Sequence, residues 1–390
     1  MSLALCHLPQ IVLLAALLIP ATLLAAEAAA RGGEAPLLAG WATADITPPR
    51  SVALVGQLHR RISTGVRDPL TATALALETR HEDGRREQAI MVSCDVIGSL
   101  IAIQRRLQER AAASLPDFTA AKLFMNATHT HTAPGFIDST FKGRYDTHDL
   151  ARRGIRGPQR GHAAAVVAPG PPQRPGHQSG LSVPGDGAPN EISADFWHDV
   201  RQELRRRHGE ELFVLPRCAP AGDLSPHLIY RKQAEAEMDR RRGLSRRQEI
   251  ARRIANAVDD VLPAAQSAVK DRLIFRHTIA RVDLPEHEPP APPFYETDSV
   301  RPIEMHVLRL GDVALATNPF ELYVDYATRI EARSPAVLTM LVQLASGSSG
   351  YLPTARGVAG GGYSADKFVV GPAGGQVLVE QTLRHIQELW

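Results

Sequence analysis

Asn126-Ala127-Thr128-His129-Thr130-His131-Thr132-Ala133-Pro134-Gly135 sets two histidines one residue apart, between an apolar strand-like run and a Pro-Gly turn. In an extended backbone residues i and i+2 project to one face, so His129 and His131 are expected to enter one pocket at a strand end. Neutral imidazole is the commonest transition-metal ligand, and zinc accepts it readily. The spacing alone fits equally well two rings satisfied by backbone and threonine hydroxyls.

Outward from this stretch the pattern is that of an α/β domain. Residues 72–78 and 88–95 are apolar runs of strand length, residues 100–114 carry apolar positions at helical spacing, and residues 123–127 lead into the histidine pair. A strand, a helix and a strand ending in polar residues predict a mixed sheet with its site along the strand ends. Further on, residues 194–208 and 245–262 read as amphipathic helices, the second with Ser245 as its N-cap. Residues 273–282, 303–310 and 313–317 read as strands of a hairpin-rich region turning at Gly311-Asp312.

The chain has 390 residues, is 44% hydrophobic and 22% charged, and carries a formal net charge of +2, the profile of a globular chain of one large or two ordinary domains. Its three cysteines, Cys6, Cys94 and Cys218, form no Cys-x-x-Cys pair, which leaves histidine and oxygen as metal ligands. Residues 11–26 are Leu- and Ala-rich and run into small residues around Ala25 to Ala28, so residues 1–28 are expected to be a signal peptide and the mature protein to be exported. The arginines of residues 201–253 alternate with Glu and Gln, which predicts a solvated helical surface; without an aromatic platform no nucleic-acid partner is expected.

Residues 147–187 break the pattern. They are built from Arg, Gly, Pro, His, Gln and Ala, as in Arg152-Arg153-Gly154-Ile155-Arg156-Gly157-Pro158, with no periodicity. A structureless loop this long is unusual inside a domain. One account is a disordered insert. The other, preferred here, is translation out of frame: codons for residues 177–185 can be chosen so that the next frame encodes Ile-Asn-Leu-Ala-Cys-Pro-Ser-Gln, an ordinary strand and turn.

Three more clusters follow apolar runs: Gly222-Asp223-Leu224-Ser225-Pro226, Asn318-Pro319-Phe320-Glu321-Leu322-Tyr323, and Gly350-Tyr351-Leu352-Pro353-Thr354 with Tyr363 twelve residues after Tyr351. With Thr43-Ala44-Asp45-Ile46-Thr47-Pro48-Pro49, Val92-Ser93-Cys94-Asp95 and His-Thr-His, in that order along residues 38–390, they resemble the neutral/alkaline ceramidase family. The resemblance implies a mixed-sheet α/β catalytic domain and a zinc-dependent amidase that cleaves the N-acyl bond of ceramide to sphingosine and fatty acid. It also implies that His129, Glu321 and Tyr351 are zinc ligands, that His131 and Tyr363 are active-site residues, and that Ser225 is a hydrogen-bond partner of the substrate rather than a covalent nucleophile. Zinc held by nitrogen and oxygen activates water and polarises an amide carbonyl, while His131 and Tyr363 would stabilise the oxyanion or pass a proton to the leaving amine.

The family's second zinc histidine should lie between His-Thr-His and the Gly-Asp-x-Ser-Pro loop, which is where residues 147–187 fall. His148, His162 and His177 stand in no strand-like context, so none is assigned. The chain stops at Trp390, so no C-terminal immunoglobulin-like domain is expected. The expected partner is a lipid or other N-acyl small molecule, met through peripheral membrane contact, with no protein partner implied. Two rival readings follow: hydrolysis of another N-acyl or ester substrate, or a catalytically impaired relative that binds without turnover.

Overall fold

Sheet strands alternate small or apolar residues along both faces here, because each of the two main sheets is buried twice. The computed structural model describes residues 33–57, 61–135, 190–225, 230–288, 301–366 and 368–390, plus the two-residue strand Ala163–Ala164, which runs parallel to Phe213–Val214. The expected signal peptide, and residues 147–187 apart from that strand, lie outside the described residues. Residues 1–34 and 35–390 separate into two units, and every element below belongs to the second.

The first sheet is built from β1 (Ala35–Asp45), β2 (Thr71–Arg80), β3 (Arg86–Cys94), β4 (Leu123–Ala127) and β5 (Arg272–Leu273), in the order β5-β1-β2-β3-β4. Only the β3–β4 pair is parallel, Ile90 facing Leu123 and Cys94 facing Ala127. The parallel pair needs a crossover. Helix α1 (Ile101–Ser114) supplies it. The second sheet has β6 (Phe275–Val282), β7 (Ile303–Leu310), β8 (Val313–Thr317) and β10 (Leu338–Val342), in the order β6-β7-β8-β10, with β8 and β10 parallel. A third, small sheet pairs β9 (Glu321–Leu322) in parallel with β11 (Tyr351–Leu352).

Period-two alternation sorts the side chains into layers. Leu75, Leu77, Met91 and Phe124 of the first sheet meet Phe275, Leu308, Leu315 and Val342 of the second. The intervening residues Val92, Cys94, Leu123 and Met125 face Ile103, Leu107 and Ala111 of α1. On the far side Ile303, Met305, Val307 and Ala316 meet α5 (Val324–Glu331) and α6 (Pro372–Gln387). The order is therefore helix, sheet, sheet, helix, and the carboxyl ends of β3, β4, β8 and β10 all carry the chain into one region.

Beside these layers stand α2 (Phe196–His208), α3 (Lys232–Arg242) and α4 (Arg246–Ser267), with Trp197, Val200 and Leu204 of α2 packed on Ala251 and Ala255 of α4. Ser245 caps α4 in a reciprocal capping box with Gln248, as the sequence predicts. The helix runs past Pro263 to Ser267, beyond the expected end, and among the described residues no helix is long and apolar enough to cross a membrane.

The expectation of a wholly solvated arginine surface is corrected. Arg201, Arg246 and Arg247 are buried. Arg201 makes a two-pronged contact with Asp95 at 2.9 and 2.8 Å, and Arg247 reaches Asp68, Asp199, Ser193 and the Asp195 carbonyl. Arg201 ties α2 to the end of β3, Arg247 ties α4 to Asp68 and to residues 193–199, and Arg246 ties α4 to α3, which alternation with Glu and Gln along one helix cannot reveal.

Candidate active site

Strand β4 ends at Ala127, and the histidines follow in a turn rather than a strand. His129 has φ 68°, the left-handed region that a non-glycine residue adopts at a cost. The extended-strand expectation is corrected: a turn, not the pleat, brings His131 Nε2 within 3.3 Å of His129 Nε2, and His129 rather than His131 lines the main cavity. Thr130 and Thr132 both donate to the Ser193 carbonyl, at 2.8 and 2.9 Å, and fasten the turn from outside.

Each ring is keyed by a backbone carbonyl, Ile97 O at 2.6 Å from His129 Nδ1 and Gly56 O at 2.7 Å from His131 Nδ1. A carbonyl only accepts, so both Nδ1 atoms carry hydrogen and both neutral rings present a lone pair at Nε2. Gly56 permits this approach: at φ 91° its position is open to glycine, and a Cβ there would lie 2.4 Å from His131 Nδ1. Arg61, buried, donates to the His131 carbonyl.

Glu321 closes the group, its Oε2 3.4 Å from His129 Nε2. It stands at the start of β9, directly after the turn that ends β8, and is 7% exposed. Burial opposes protonation of His129, but Glu321 and the Ile97 carbonyl outweigh it and move the ring's pKa up. Burial and the neighbouring His129 push His131 down to about 3. The two Nε2 atoms lie 3.3 Å apart and the carboxylate 3.4 Å from His129 Nε2, and these are donors of the kind that zinc accepts. Among the described residues no group of three or more His, Cys, Asp or Glu side chains is placed to hold a metal ion. A zinc site here would need a further ligand.

The remaining expected residues surround the same cavity of about 1300 Å³, which His129, Glu321, Ser225, Tyr351 and Tyr363 all line. Tyr351 pairs with Glu321 across β9–β11, and its ring meets Tyr363 edge-on with centroids 5.8 Å apart. Burial and the charge of Glu321 raise the Tyr363 phenol. Tyr323, at 2.8 Å from Ser364, steadies the turn that carries Tyr363.

Ser225 is buried in the 222–225 loop, which leans directly on the Glu321 segment. Gly222 N donates to Leu322 O at 2.8 Å, and a Cβ on Gly222 would lie 2.2 Å from Glu321 O, so only glycine fits. Asp223 Oδ1 accepts from Val324 N at 2.9 Å.

Three contributors were not legible as site residues in the sequence. Gln343 Oε1 accepts from both Ala221 N and Leu322 N and so joins the serine loop to Glu321; its one signal is a polar residue closing an apolar strand. Asp95, at the end of β3, accepts from Thr128 as well as Arg201. Asp195, at the head of α2, lines the cavity with φ 57° and ψ −151°, and only coordinates reveal this.

No family model matches the chain, and no curated protein matches it in sequence. Solved structures do match in shape. A ceramidase complexed with C2 superposes with a TM-score of 0.62 at 15% identity, over 91% of this chain and 76% of its own. The neutral ceramidase from Pseudomonas aeruginosa superposes with a TM-score of 0.61 at 16% identity, over 91% of this chain and 75% of its own. At such identity the likeness is one of architecture, and the chain has the mixed α/β fold of the ceramidases.

Proposed function

We propose that this chain is an exported, zinc-dependent amide hydrolase acting on N-acyl substrates of the ceramide type. One observation carries the reading: two imidazoles, each with its tautomer set by a backbone carbonyl, aim their Nε2 lone pairs at one another beside a buried carboxylate. His129, Glu321 and Tyr351 would hold the zinc. Bound zinc supplies Lewis acidity toward the acyl carbonyl and activates water.

The chain's own residues do the rest. His131, whose ring is kept neutral by burial and by the neighbouring His129, would take a proton at Nε2 and return it to the departing amine. Tyr363, kept protonated by burial, donates to the oxyanion. Ser225 hydrogen-bonds the substrate. Phe196, Trp197 and Ile254 give the cavity an apolar wall on which an acyl chain or a sphingoid tail can lie.

Zinc content and fluorogenic N-acyl sphingosine turnover, measured on wild type and His129→Ala after zinc loading, test this. Near-stoichiometric zinc with turnover in wild type, both lost in the variant, is the expected result. Stoichiometric metal in His129→Ala refutes the site, and a zinc-loaded wild type that binds the lipid without cleaving it makes the chain a binding protein.

A further inference from the structure

Asp195 occupies a backbone conformation, φ 57° and ψ −151°, that is close to glycine-only territory. Three contacts hold it there: Asp195 N donates to Ser193 Oγ at 2.9 Å, Arg247 donates to Asp195 O at 2.8 Å, and Phe196 N donates to Asp195 Oδ1 at 2.6 Å. Helix capping does not account for the choice of residue. An ordinary N-cap has extended φ and accepts from the second or third helical N–H, whereas here the acceptor serves the first. Glycine would satisfy the backbone at less cost, so the side chain is what the position retains.

That side chain is 93% buried by residue surface, being 7% exposed, and lines the same cavity as His129 and Thr130. Oδ1 is engaged by Phe196 N, while Oδ2 makes no hydrogen bond among the described residues. The segment is also bonded to the histidine turn, because Ser193 O accepts from Thr130 and Thr132.

We infer that Asp195 is a specificity-determining contact of the cavity, its Oδ2 accepting a hydrogen bond from a hydroxyl of the substrate's amino-alcohol head and, once the acyl group has left, from the ammonium of the amine product. The inference rests on the hydrolase reading for the identity of that head. Burial raises the carboxyl to about 6 against the pull of Arg247, so it is ionised at neutral pH and poised to gain from a donor. Charge-assisted hydrogen bonds of this kind change affinity by about tenfold to a hundredfold.

The experiment titrates 2-amino-1,3-propanediol, and glycerol as the hydroxyl-only control, into zinc-loaded wild type, Asp195→Gly and Asp195→Asn, with urea denaturation of all three. Asp195→Gly is expected to keep or raise the urea midpoint while losing at least about tenfold in probe affinity. Asp195→Asn is expected to lose the amine probe more than glycerol if an ammonium is bound, and both alike if a hydroxyl is. A lower midpoint with unchanged probe affinity in Asp195→Gly overturns the inference, as does a wild type that binds neither probe. Absent N-acyl turnover in wild type, with probe binding that Asp195→Gly abolishes, would sink the hydrolase reading alone. Unchanged KM for the N-acyl substrate in Asp195→Gly would sink this inference alone.

Discussion

Replacing Asp95 by alanine should cost more than any surface change in the molecule. The carboxylate is fully buried and accepts from Thr71 N and Thr71 Oγ1 at 2.8 Å, from Thr128 Oγ1 at 3.1 Å, and from both terminal nitrogens of Arg201. Arg201 has a side chain only 6% exposed, and its Nε has no hydrogen-bond partner among the described residues. Asp95→Ala would therefore leave a buried guanidinium without its counter-charge, a situation that costs about 3–5 kcal/mol. With an unfolding entropy of about 2.1 cal/mol/K per residue over roughly 350 residues, that loss lowers Tm by about 4–7 °C. Urea denaturation of wild type, Asp95→Ala, Arg201→Ala and the double variant reads both the loss and the coupling, which should be at least about 2 kcal/mol. Because Thr128 precedes His129, zinc affinity should fall as well. A loss below about 1 kcal/mol in Asp95→Ala, or no coupling with Arg201, would refute the argument that this pair carries the strand end.

Other outcomes follow from the same geometry. Gly222→Ala puts a Cβ against the Glu321 backbone, which cannot swing aside; it should destabilise by about 1–3 kcal/mol and weaken zinc binding by at least about tenfold, and a competition titration showing wild-type affinity would contradict this. Glu249 is buried, which favours its neutral form, yet hydrogen bonds and charge from Arg252 and Arg253 prevail and hold it down at about 2. A depressed folded pKa stabilises above the unfolded carboxyl's range and is lost as pH falls through the folded value, so the urea midpoints of wild type and Glu249→Gln should differ at pH 7 and converge between about pH 4.5 and pH 2. A gap that persists at pH 2 would mean that packing, not charge, sets the difference.

Local pattern was enough for the strands β4, β7 and β8, since each is an apolar run bounded by turns, and for the N-cap at Ser245. The convergence of His129, Glu321, Ser225, Tyr351 and Tyr363 on one cavity came not from local pattern but from the order of motifs that carries the family resemblance. What was hidden depends on partners distant in sequence. Arg201 and Asp95 are 106 residues apart, and Arg247 and Asp68 are 179 apart. Composition makes those arginines surface residues, and only the packing of α2 and α4 against the strand ends buries them. Backbone strain at His129 and Asp195 is likewise invisible to periodicity, because neither residue type announces a left-handed conformation.

The hydrogen bonds between the histidine turn and the 190–195 segment have an architectural consequence. Ser193 N donates to Thr132 O at 3.0 Å, the Ser193 carbonyl takes both threonine hydroxyls, and Thr64 and Arg67 donate to Asn190 O and Ile192 O. Positions 132 and 193 are thereby stitched together, and the stretch around Thr64 and Arg67 is sewn to the same segment. A disturbance at Thr64 or Arg67, neither of which lines the cavity, therefore has a backbone route to the turn that carries His129.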